Sequence, residues 1–442
     1  MQPKNLLNSR RGRLSAFGIL YISEGIPYGF SSTALVAFMR IEGLSLEQIG
    51  AFVAAIFIPW SFKWVWAPMI DIIKLKRFGG RKAWITFCTS MMIVTLISVA
   101  VVDFVADFKL LLWMIVLNNF FCATQDVAID SLAVSKLRHD ERATGNGFMF
   151  GGQYLGIGLG GGGALFISGL WGFNASLIYI CGLMLINLLF VLVFIHDDDA
   201  KVPDAPRRVS AFAHFVGTLG AFVRDLYTGF MESGSGPKFG LLFALLPVGS
   251  MALAYALLGT IQVDYGLTEI QISRLSIAAS FTSGFGCVIG GMLGSRFGIK
   301  RVTATFYVMT IIPTLLLANQ IAAVGLTDIS LLLLCATILS HSLLFGMAYA
   351  VRIAIFMGMT NPAVAATQFT AYMALSNVAI SVGNYWQGAV AERMNYQTAL
   401  YVDAALVILA LCVIPFLKNR EEMKPPIVVP ENVAVARAGL SD

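Results

Sequence analysis

The sequence predicts an all-α membrane protein with twelve transmembrane helices in two parallel six-helix halves. Three observations support this prediction. Hydrophobic residues make up 57% of the 442 residues and charged residues 12%, whereas an ordinary soluble domain is about 25% charged. Twelve apolar stretches are each long enough to cross a bilayer core, which takes about 20 helical residues. Short sequence matches also recur at a constant offset between the two parts of the chain.

The twelve predicted spans follow one another along most of the chain. They cover residues 14–39, 47–70, 83–102, 109–135, 144–170, 174–195, 239–262, 270–294, 302–322, 329–351, 365–390 and 396–417. The longest interruption separates six spans from six. We therefore expect an N-terminal six-helix bundle at 1–195, a linker at 196–238, a C-terminal six-helix bundle at 239–417 and a tail at 418–442.

The distribution of basic residues predicts the orientation of the spans. If the first span leaves the cytoplasm, 25 of the 30 lysines and arginines fall on the cytoplasmic side. Cytoplasmic loops of membrane proteins carry this excess of positive charge, so both termini are expected to be cytoplasmic. The first apolar run is long enough to span, which favours a retained helix over a cleaved signal peptide.

Two short matches indicate an internal repeat. The Gly-Leu-Ser triplet at Gly43 has a counterpart in the Gly-Leu-Thr triplet at Gly266, an offset of 223 residues. The Ala-Thr pair at Ala143 recurs at Ala366 with the same offset. Parallel repeats of this kind are related by an axis along the membrane normal. This arrangement predicts a cavity between the halves.

The linker contains a predicted amphipathic helix at residues 209–231. Its apolar side chains recur at spacings of three and four, a helical period. Such a helix can lie at the membrane surface or dock on the helix bundle, and the sequence favours neither. The residues in this pattern are Phe212, Phe215, Leu219, Phe222, Leu226 and Phe230.

Ionisable residues inside the predicted spans are candidates for function, because a charge at membrane depth is costly. Asp126 and Asp130 are four residues apart and share one helix face, where repulsion favours a bound proton on one of them. Glu24 precedes Gly25 and lies near Pro27, which loosens a helix. Lys63 either takes part in substrate binding or coupling, which we favour, or forms a buried ion pair that fixes packing.

Neutral polar residues in the spans can donate to and accept from sugar or amide groups. The candidates are Tyr28, Gln153, Tyr154 and Gln125, the last of which can equally bridge two helices. Three polar residues of the second half are expected to have structural roles: packing for His341 and Asn377, and for Arg352 an anchor at the membrane surface. The glycine-rich run at 156–163 lies within a span and predicts close helix packing.

Two connections, after spans two and eight, carry similar glycine and basic residues. Residues 291–301 read Gly-Met-Leu-Gly-Ser-Arg-Phe-Gly-Ile-Lys-Arg. They resemble the loop signature of the major facilitator superfamily, G-x-L-x-D-R-x-G-x-K-K, with Ser295 at the acidic position. The resemblance implies a major facilitator fold with a gate that latches the halves, weaker in the second loop; plain solvation of the loops is the alternative. The implied gating residues are Asp71, Gly80, Arg81, Lys82, Arg296, Gly298, Lys300 and Arg301.

Further motifs resemble one branch of that superfamily. Residues 63–71, Lys-Trp-Val-Trp-Ala-Pro-Met-Ile-Asp, and 123–130, Ala-Thr-Gln-Asp-Val-Ala-Ile-Asp, are similar to motifs of the AmpG muropeptide permeases and acetyl-CoA transporters. Residues 25–29 and 43–50 also resemble the RhtX and FptX siderophore permeases. The chain departs from AmpG in Leu132, where an aromatic residue is expected, and in having no extra pair of C-terminal spans.

The resemblance implies a secondary active transporter of the bacterial inner membrane that works by alternating access. We expect a proton-coupled importer of a polar solute, with muropeptides first, siderophores second and acetyl-CoA third. The expected partners are a small-molecule substrate, protons and the lipid bilayer, with the chain a monomer and with no nucleic acid, cofactor or metal. The alternatives from other classes are an intramembrane acyltransferase and a sensor without flux. The four histidines supply no reactive constellation for the former, so no enzyme is expected.

Overall fold

A computed structural model describes residues 5–72, 79–138, 141–197, 211–361 and 364–418. Within these ranges the chain is nearly all helical and contains no strand. Nine of the helices there are long and apolar enough to cross a membrane. The other predicted spans are also helical in the structure, the first and the eleventh throughout and the seventh in two separate pieces. The predicted all-α fold of twelve spans is therefore confirmed.

The helices are named here as spans 1–12. Spans 1–6 are formed by Arg10–Gly29 with Phe30–Ala34 and Leu35–Ile41, Leu46–Ile56 with Ile58–Ile72, Arg81–Val99, Phe108–Lys136, Arg142–Ile157 with Gly158–Gly163 and Ala164–Trp171, and Phe173–Phe194. Spans 7–12 are formed by Ser235–Ala244 with Ala256–Asp264, Glu269–Phe297, Ile299–Val324, Leu331–Met359, Ala365–Arg393, and Tyr396–Val413 with Ile414–Phe416.

The repeat seen in the sequence has a structural counterpart at the starts of spans 2 and 8. Gly43 and Gly266 adopt φ angles of +88° and +94°, a conformation that favours glycine. Ser45 and Thr268 then cap the following helices, and each forms a capping box with a glutamine three residues on. The two halves therefore enter their second helix through the same turn and the same cap.

Spans 1 and 5 pack closely through glycine. A Cβ atom added at Gly156 would lie 2.4 Å from the carbonyl oxygen of Ile22, and one at Gly160 would lie 1.9 Å from that of Ile26. Glycine is needed at both positions because the two backbones almost touch. The π-helical turn Gly158–Gly163 lies within this contact. The glycine-rich run thus does what the sequence predicts, which is to bring two membrane helices together.

Span 7 is broken, although the sequence predicts one continuous helix over 239–262. The helix ends at Ala244 and resumes at Ala256. Pro247 lacks the N–H that a helix interior requires, and Gly249 has a φ of +62°, outside the helical region. These two residues account for the break. Residues 245–255 are therefore not helical, and several of their polar groups need partners outside the segment.

Arg352 of span 10 supplies donors to the first side of this break. Its guanidinium donates to the carbonyl oxygens of Ala244 at 2.7 Å and Leu246 at 2.9 Å. The residue is 1% exposed, so the expectation of a surface anchor is wrong. A cation at the C-terminal end of a helix also complements the helix dipole. Arg352 thus stabilises the end of the first half-helix.

Asp403 of span 12 supplies acceptors on the second side of the break. Its Oδ2 accepts from the backbone N–H groups of Met251 at 2.9 Å and Ala252 at 3.1 Å, and from the hydroxyl of Ser250 at 2.5 Å. Its Oδ1 accepts from Nε2 of Gln387 at 2.7 Å. An anion therefore satisfies the free N–H groups that precede the second half-helix. The break is held by one buried cation and one buried anion.

Replacing Asp403 by asparagine is expected to destabilise the protein. Asparagine keeps one acceptor oxygen but places an NH2 group where the second carboxylate oxygen accepts, so at least one buried donor is left unpaired, which costs about 1–3 kcal/mol. The melting temperature in detergent should fall, whereas Asp328→Asn in an exposed loop should leave it unchanged. Equal melting temperatures for the two variants would contradict the role given to Asp403.

The linker helix Ala211–Tyr227 packs on the bundle. It contacts spans 2 and 11, and the ring of Phe222 stacks on that of Trp64 with centroids 5.1 Å apart. Of the two alternatives left open by the sequence, these contacts correspond to a docked helix. The helix touches one span from each half, so it connects them on this side of the bundle.

Candidate functional site

A central cavity of about 780 Å³ lies between the two halves. Its walls come from spans 1, 2, 4 and 5 and the start of span 3 in the first half, and from spans 7, 8, 10 and 11 in the second. Seven of the eight predicted substrate and coupling residues line it: Glu24, Tyr28, Lys63, Asp126, Asp130, Gln153 and Tyr154. Their roles stay predictions, but the structure brings them to one place.

One end of the bundle, called the closed end here, is joined by contacts between the halves. Arg40 at the end of span 1 makes a bidentate ion pair with Asp264 at the end of span 7, with distances of 2.6 and 2.7 Å. The backbone N–H of Leu46 donates to Glu392 at 2.7 Å. These contacts hold spans 1 and 2 against spans 7 and 11 beyond the cavity.

The cavity reaches the opposite end of the bundle, called the open end here. Arg81, Val134 and Ser135 line it there, and Val134 is 67% exposed. A solute could therefore enter from this end while the closed end is sealed. The cavity is therefore open at one end of the bundle and closed at the other.

Lys63 and Asp126 form a hydrogen-bonded ion pair in the cavity wall. The Lys63 ammonium also lies 5.4 Å from the centroid of the Trp60 ring, a distance suited to a cation–π contact. Asp126 is almost fully buried, whereas the Lys63 side chain is 21% exposed. The pair therefore links spans 2 and 4 and presents its cation toward the cavity.

Glu24 is a buried carboxylate with one free oxygen. Its Oε1 accepts from Nε2 of Gln153 at 2.7 Å. Its Oε2 has no hydrogen-bond partner among the described residues, and the residue is 1% exposed. An ionised carboxylate left in this setting pays a desolvation cost that a bound proton removes. Glu24 is therefore arranged to take up a proton or to bind a donor group.

Asp130 and Tyr21 form a further polar contact in the same wall. The Tyr21 hydroxyl donates to Oδ1 of Asp130 at 2.5 Å. Tyr21 also lines the cavity, although no sequence pattern singled it out. The wall thus contains three carboxylates with different partners: an ammonium on Asp126, an amide on Glu24 and a phenol on Asp130.

Gln125 is the predicted residue that lies behind the wall. Its Nε2 donates to Thr89 at 2.6 Å, and its Oε1 accepts from Ser23 at 3.3 Å. Both contacts are fully buried, and they join spans 1, 3 and 4. This is the bridging arrangement that the sequence left open as the alternative to substrate contact.

The second half contributes an aromatic and uncharged wall that the sequence did not single out. It includes Tyr255, Phe345 and Tyr349, together with His341 and Asn377, for which packing roles were expected. The repeat offset could have indicated two of these residues. At an offset of 223, Tyr349 corresponds to Asp126 and Asn377 to Tyr154. The two halves thus use equivalent positions with different chemistry.

The predicted gating residues of the first loop lie at the open end. Arg81 donates to Ser131 at 2.8 Å and lies 3.7 Å from the carboxylate of Asp197. Lys82 donates to the carbonyl of Leu192 at 2.7 Å, and Gly80 has a φ of +65°. The Asp71 side chain lies outside the described residues. These basic residues hold the ends of spans 3, 4 and 6 together.

The second loop is a tight turn. Gly298 has a φ of +88° and separates spans 8 and 9. The Arg296 guanidinium lies 5.3 Å from the Phe297 ring centroid, and Lys300 and Arg301 follow in the first turn of span 9. The turn explains the glycine of the loop signature. A gating role for this loop stays a prediction.

Glu141, in the connection between spans 4 and 5, pairs with Arg13 at the start of span 1. The guanidinium donates to both carboxylate oxygens, at 2.6 and 2.8 Å. This hydrogen-bonded pair lowers the pKa of Glu141 from 4.5 to about 2. A group whose folded pKa is depressed stabilises the folded state above its unfolded pKa.

The Glu141 contribution to stability should therefore be complete above about pH 4.5 and disappear as the pH falls toward about 2. The melting temperature of the native protein in detergent should fall more steeply over this range than that of Glu141→Gln. Parallel curves for the two proteins would contradict the pairing.

Comparisons with known proteins match the chain to transporters. The family model described as Major Facilitator Superfamily matches residues 17–253 and 239–439. The anhydromuropeptide permease of Escherichia coli K12 is 26% identical in an alignment of 417 positions that covers 89% of this chain and 78% of that protein. A Rickettsia conorii protein named as transporter AmpG 4 is 22% identical over 92% of this chain and 97% of its own length.

Solved structures show the same fold. A crystal structure of a variant of the nucleoside transporter NupG has a TM-score of 0.69 and 17% identity, and the match covers 92% of this chain and all of that one. With the family match, the twelve spans and the cavity between two halves, the chain is a multi-pass membrane transporter that belongs to the Major Facilitator Superfamily.

Proposed function

We propose that the chain is a proton-coupled importer of a polar, muropeptide-like solute. The observation that supports this most is the central cavity itself. Both halves line it, and its first-half wall carries Glu24, a buried carboxylate with an unpartnered oxygen, beside the Lys63–Asp126 pair. A proton site within the substrate cavity allows protonation and solute binding to influence each other.

The substrate class is supported by cavity chemistry and by relatives. A volume of about 780 Å³ is within the range of about 300–1,000 Å³ for small-molecule sites. Charged groups suit an ionised peptide, and neutral polar and aromatic groups suit sugar rings. The E. coli relative is named as a permease for anhydromuropeptides. A ferric siderophore is the second candidate, on the sequence resemblance alone.

We propose that the protein lies in the bacterial inner membrane as a monomer with both termini in the cytoplasm. The bias of lysine and arginine supports this orientation. Arg13, Arg81 and Glu141 then lie on the cytoplasmic side, and the open end of the cavity faces inward. The closed end, with Arg40 and Asp264, faces outward.

In the proposed cycle, the contacts at one end of the bundle break as contacts at the other end form. Outward opening separates the Arg40–Asp264 pair and the Leu46–Glu392 contact, while the loop residues Asp71 and Arg81 latch the cytoplasmic end.

Glu24 takes up a proton from the outside and releases it inside, where the open cavity gives access to water. The ion pair of Lys63 and Asp126 binds the ionised part of the solute.

Uptake with and without a protonophore tests the coupling. Radiolabelled muramyl peptide should accumulate in cells that express the protein, and the protonophore should abolish accumulation. Undiminished accumulation would contradict proton coupling.

A thermal-shift panel of muramyl peptides, ferric siderophores and acetyl-CoA tests the substrate class, because a ligand of the folded state raises its melting temperature. A shift with siderophores alone would contradict the muropeptide proposal.

A further inference from the structure

We infer that the second-half wall of the central cavity, formed by spans 7, 10 and 11, is a ring-binding subsite. It takes an uncharged ring with hydroxyl or amide donors, such as an N-acetylated hexosamine. The inference rests on the proposed function, because it assigns the sugar part of a muropeptide-like solute to this wall. Its central feature is His341, with the aromatic rings that surround it.

His341 offers a hydrogen-bond acceptor that no described residue uses. Its Nε2 lies 2.9 Å from the carbonyl oxygen of Ser250. A carbonyl oxygen can accept but cannot donate, so Nε2 carries the hydrogen and Nδ1 of the neutral ring is an acceptor. Nδ1 is buried and has no hydrogen-bond partner in the described part of the chain. A hydroxyl or amide group of a ligand would satisfy it.

The position of this acceptor is fixed by the break in span 7. The Ser250 carbonyl is free to bind His341 because residues 245–255 are not helical. Arg352 and Asp403 hold the two sides of the break. The tautomer and orientation of His341 are therefore set before a ligand arrives, which reduces the entropy cost of binding.

Aromatic rings next to His341 provide a surface for a sugar ring. Phe345 lies nearly parallel to His341, with centroids 5.8 Å apart and an angle of 19°. Tyr255 and Tyr349 lie 6.0 and 6.4 Å from Phe345. All four rings line the cavity. The electron-rich face of an aromatic ring suits the C–H groups on the apolar face of a pyranose.

The distribution of charge sets the direction in which a ligand lies. Among the described residues that line the cavity, those of the second half include no Asp, Glu, Lys or Arg. The first half contributes five such residues: Glu24, Lys63, Arg81, Asp126 and Asp130. Ionised groups of a solute are therefore directed to the first half. The uncharged ring is directed to the second.

Calorimetry with purified full-length protein tests the inference. The two ligands are muramyl dipeptide and the same dipeptide without its sugar. His341→Phe removes the acceptor but keeps a ring, and should weaken muramyl dipeptide binding about tenfold. Phe345→Leu should weaken it about three- to tenfold. Binding of the bare dipeptide should stay the same in both variants. Phe285→Leu, on a ring that is 64% exposed on span 8, is the matched control.

The outcomes separate the subsite from the proposed function. If native protein binds muramyl dipeptide and the variants lose both ligands equally, or lose neither, the ring subsite is wrong and the substrate class stands. If native protein binds no muramyl dipeptide, the substrate class is wrong and the ring assignment falls with it. Melting temperatures of the variants show whether a loss of binding reflects misfolding.

Discussion

Glu24→Gln is expected to abolish proton-driven accumulation while exchange of solute across the membrane continues. Glutamine keeps the shape of a protonated glutamate and can still accept from Gln153, but it cannot release a proton. With one proton carried per solute, a gradient of one pH unit supports about tenfold accumulation. The variant should reach equal concentrations on both sides.

Glu42→Gln is the matched control, because Glu42 is exposed at the closed end and should retain normal accumulation. Counterflow in proteoliposomes measures exchange without a proton gradient. Continued uphill accumulation by Glu24→Gln would contradict the proton-carrying role. Loss of both accumulation and counterflow would instead indicate that Glu24 is needed for solute binding.

Lys63→Met is expected to reduce uptake by at least about 100-fold. The change removes the ammonium that is proposed to bind the ionised part of the solute, and losing one partner of a charge pair in a binding site costs about 3 kcal/mol, a factor of about 100 in affinity. It also leaves the Asp126 carboxylate without its ammonium partner, and breaking a buried pair on one side destabilises a protein by about 3–5 kcal/mol. The variant should melt at a lower temperature than native protein.

The double variant Lys63→Met with Asp126→Leu separates stability from function. Replacing both members of a buried pair by apolar residues is often neutral for stability, so the melting temperature should recover. Uptake should not recover, because the charges that bind solute are gone. Recovered uptake would show that the pair fixes packing alone, which is the alternative that the sequence left open.

Most of the fold could be predicted because membrane spans depend on local composition. A run of about 20 apolar residues can be recognised without knowledge of its neighbours. The capped turns at Ser45 and Thr268 are also local, and they made the repeat visible. The break in span 7 was missed although Pro247 and Gly249 are local signals for it, because the partners that compensate the break, Arg352 and Asp403, lie far along the chain. Nothing near residue 250 in the sequence shows that these partners exist.

The residues of the candidate site also fall into those that could be selected from the sequence and those that could not. Charged residues within spans are conspicuous, so the charged residues of the first-half wall, from Glu24 to Asp130, were selected from the sequence, and their roles stay predictions. Aromatic residues are common in membrane helices, and their pattern does not distinguish a cavity wall from core or lipid-facing positions. Tyr255 and Phe345 were therefore not selected. Gln125 is the opposite case: it was selected because it is polar, but its side chain bridges helices and does not line the cavity.

A direct measurement of proton movement tests the coupling most sharply. Proteoliposomes with a pH-sensitive dye inside receive muramyl dipeptide outside, with no pH gradient at the start. The native protein should acidify the lumen upon solute addition, and Glu24→Gln should not. Solute entry into the lumen without any acidification in the native protein would contradict a proton site in the central cavity.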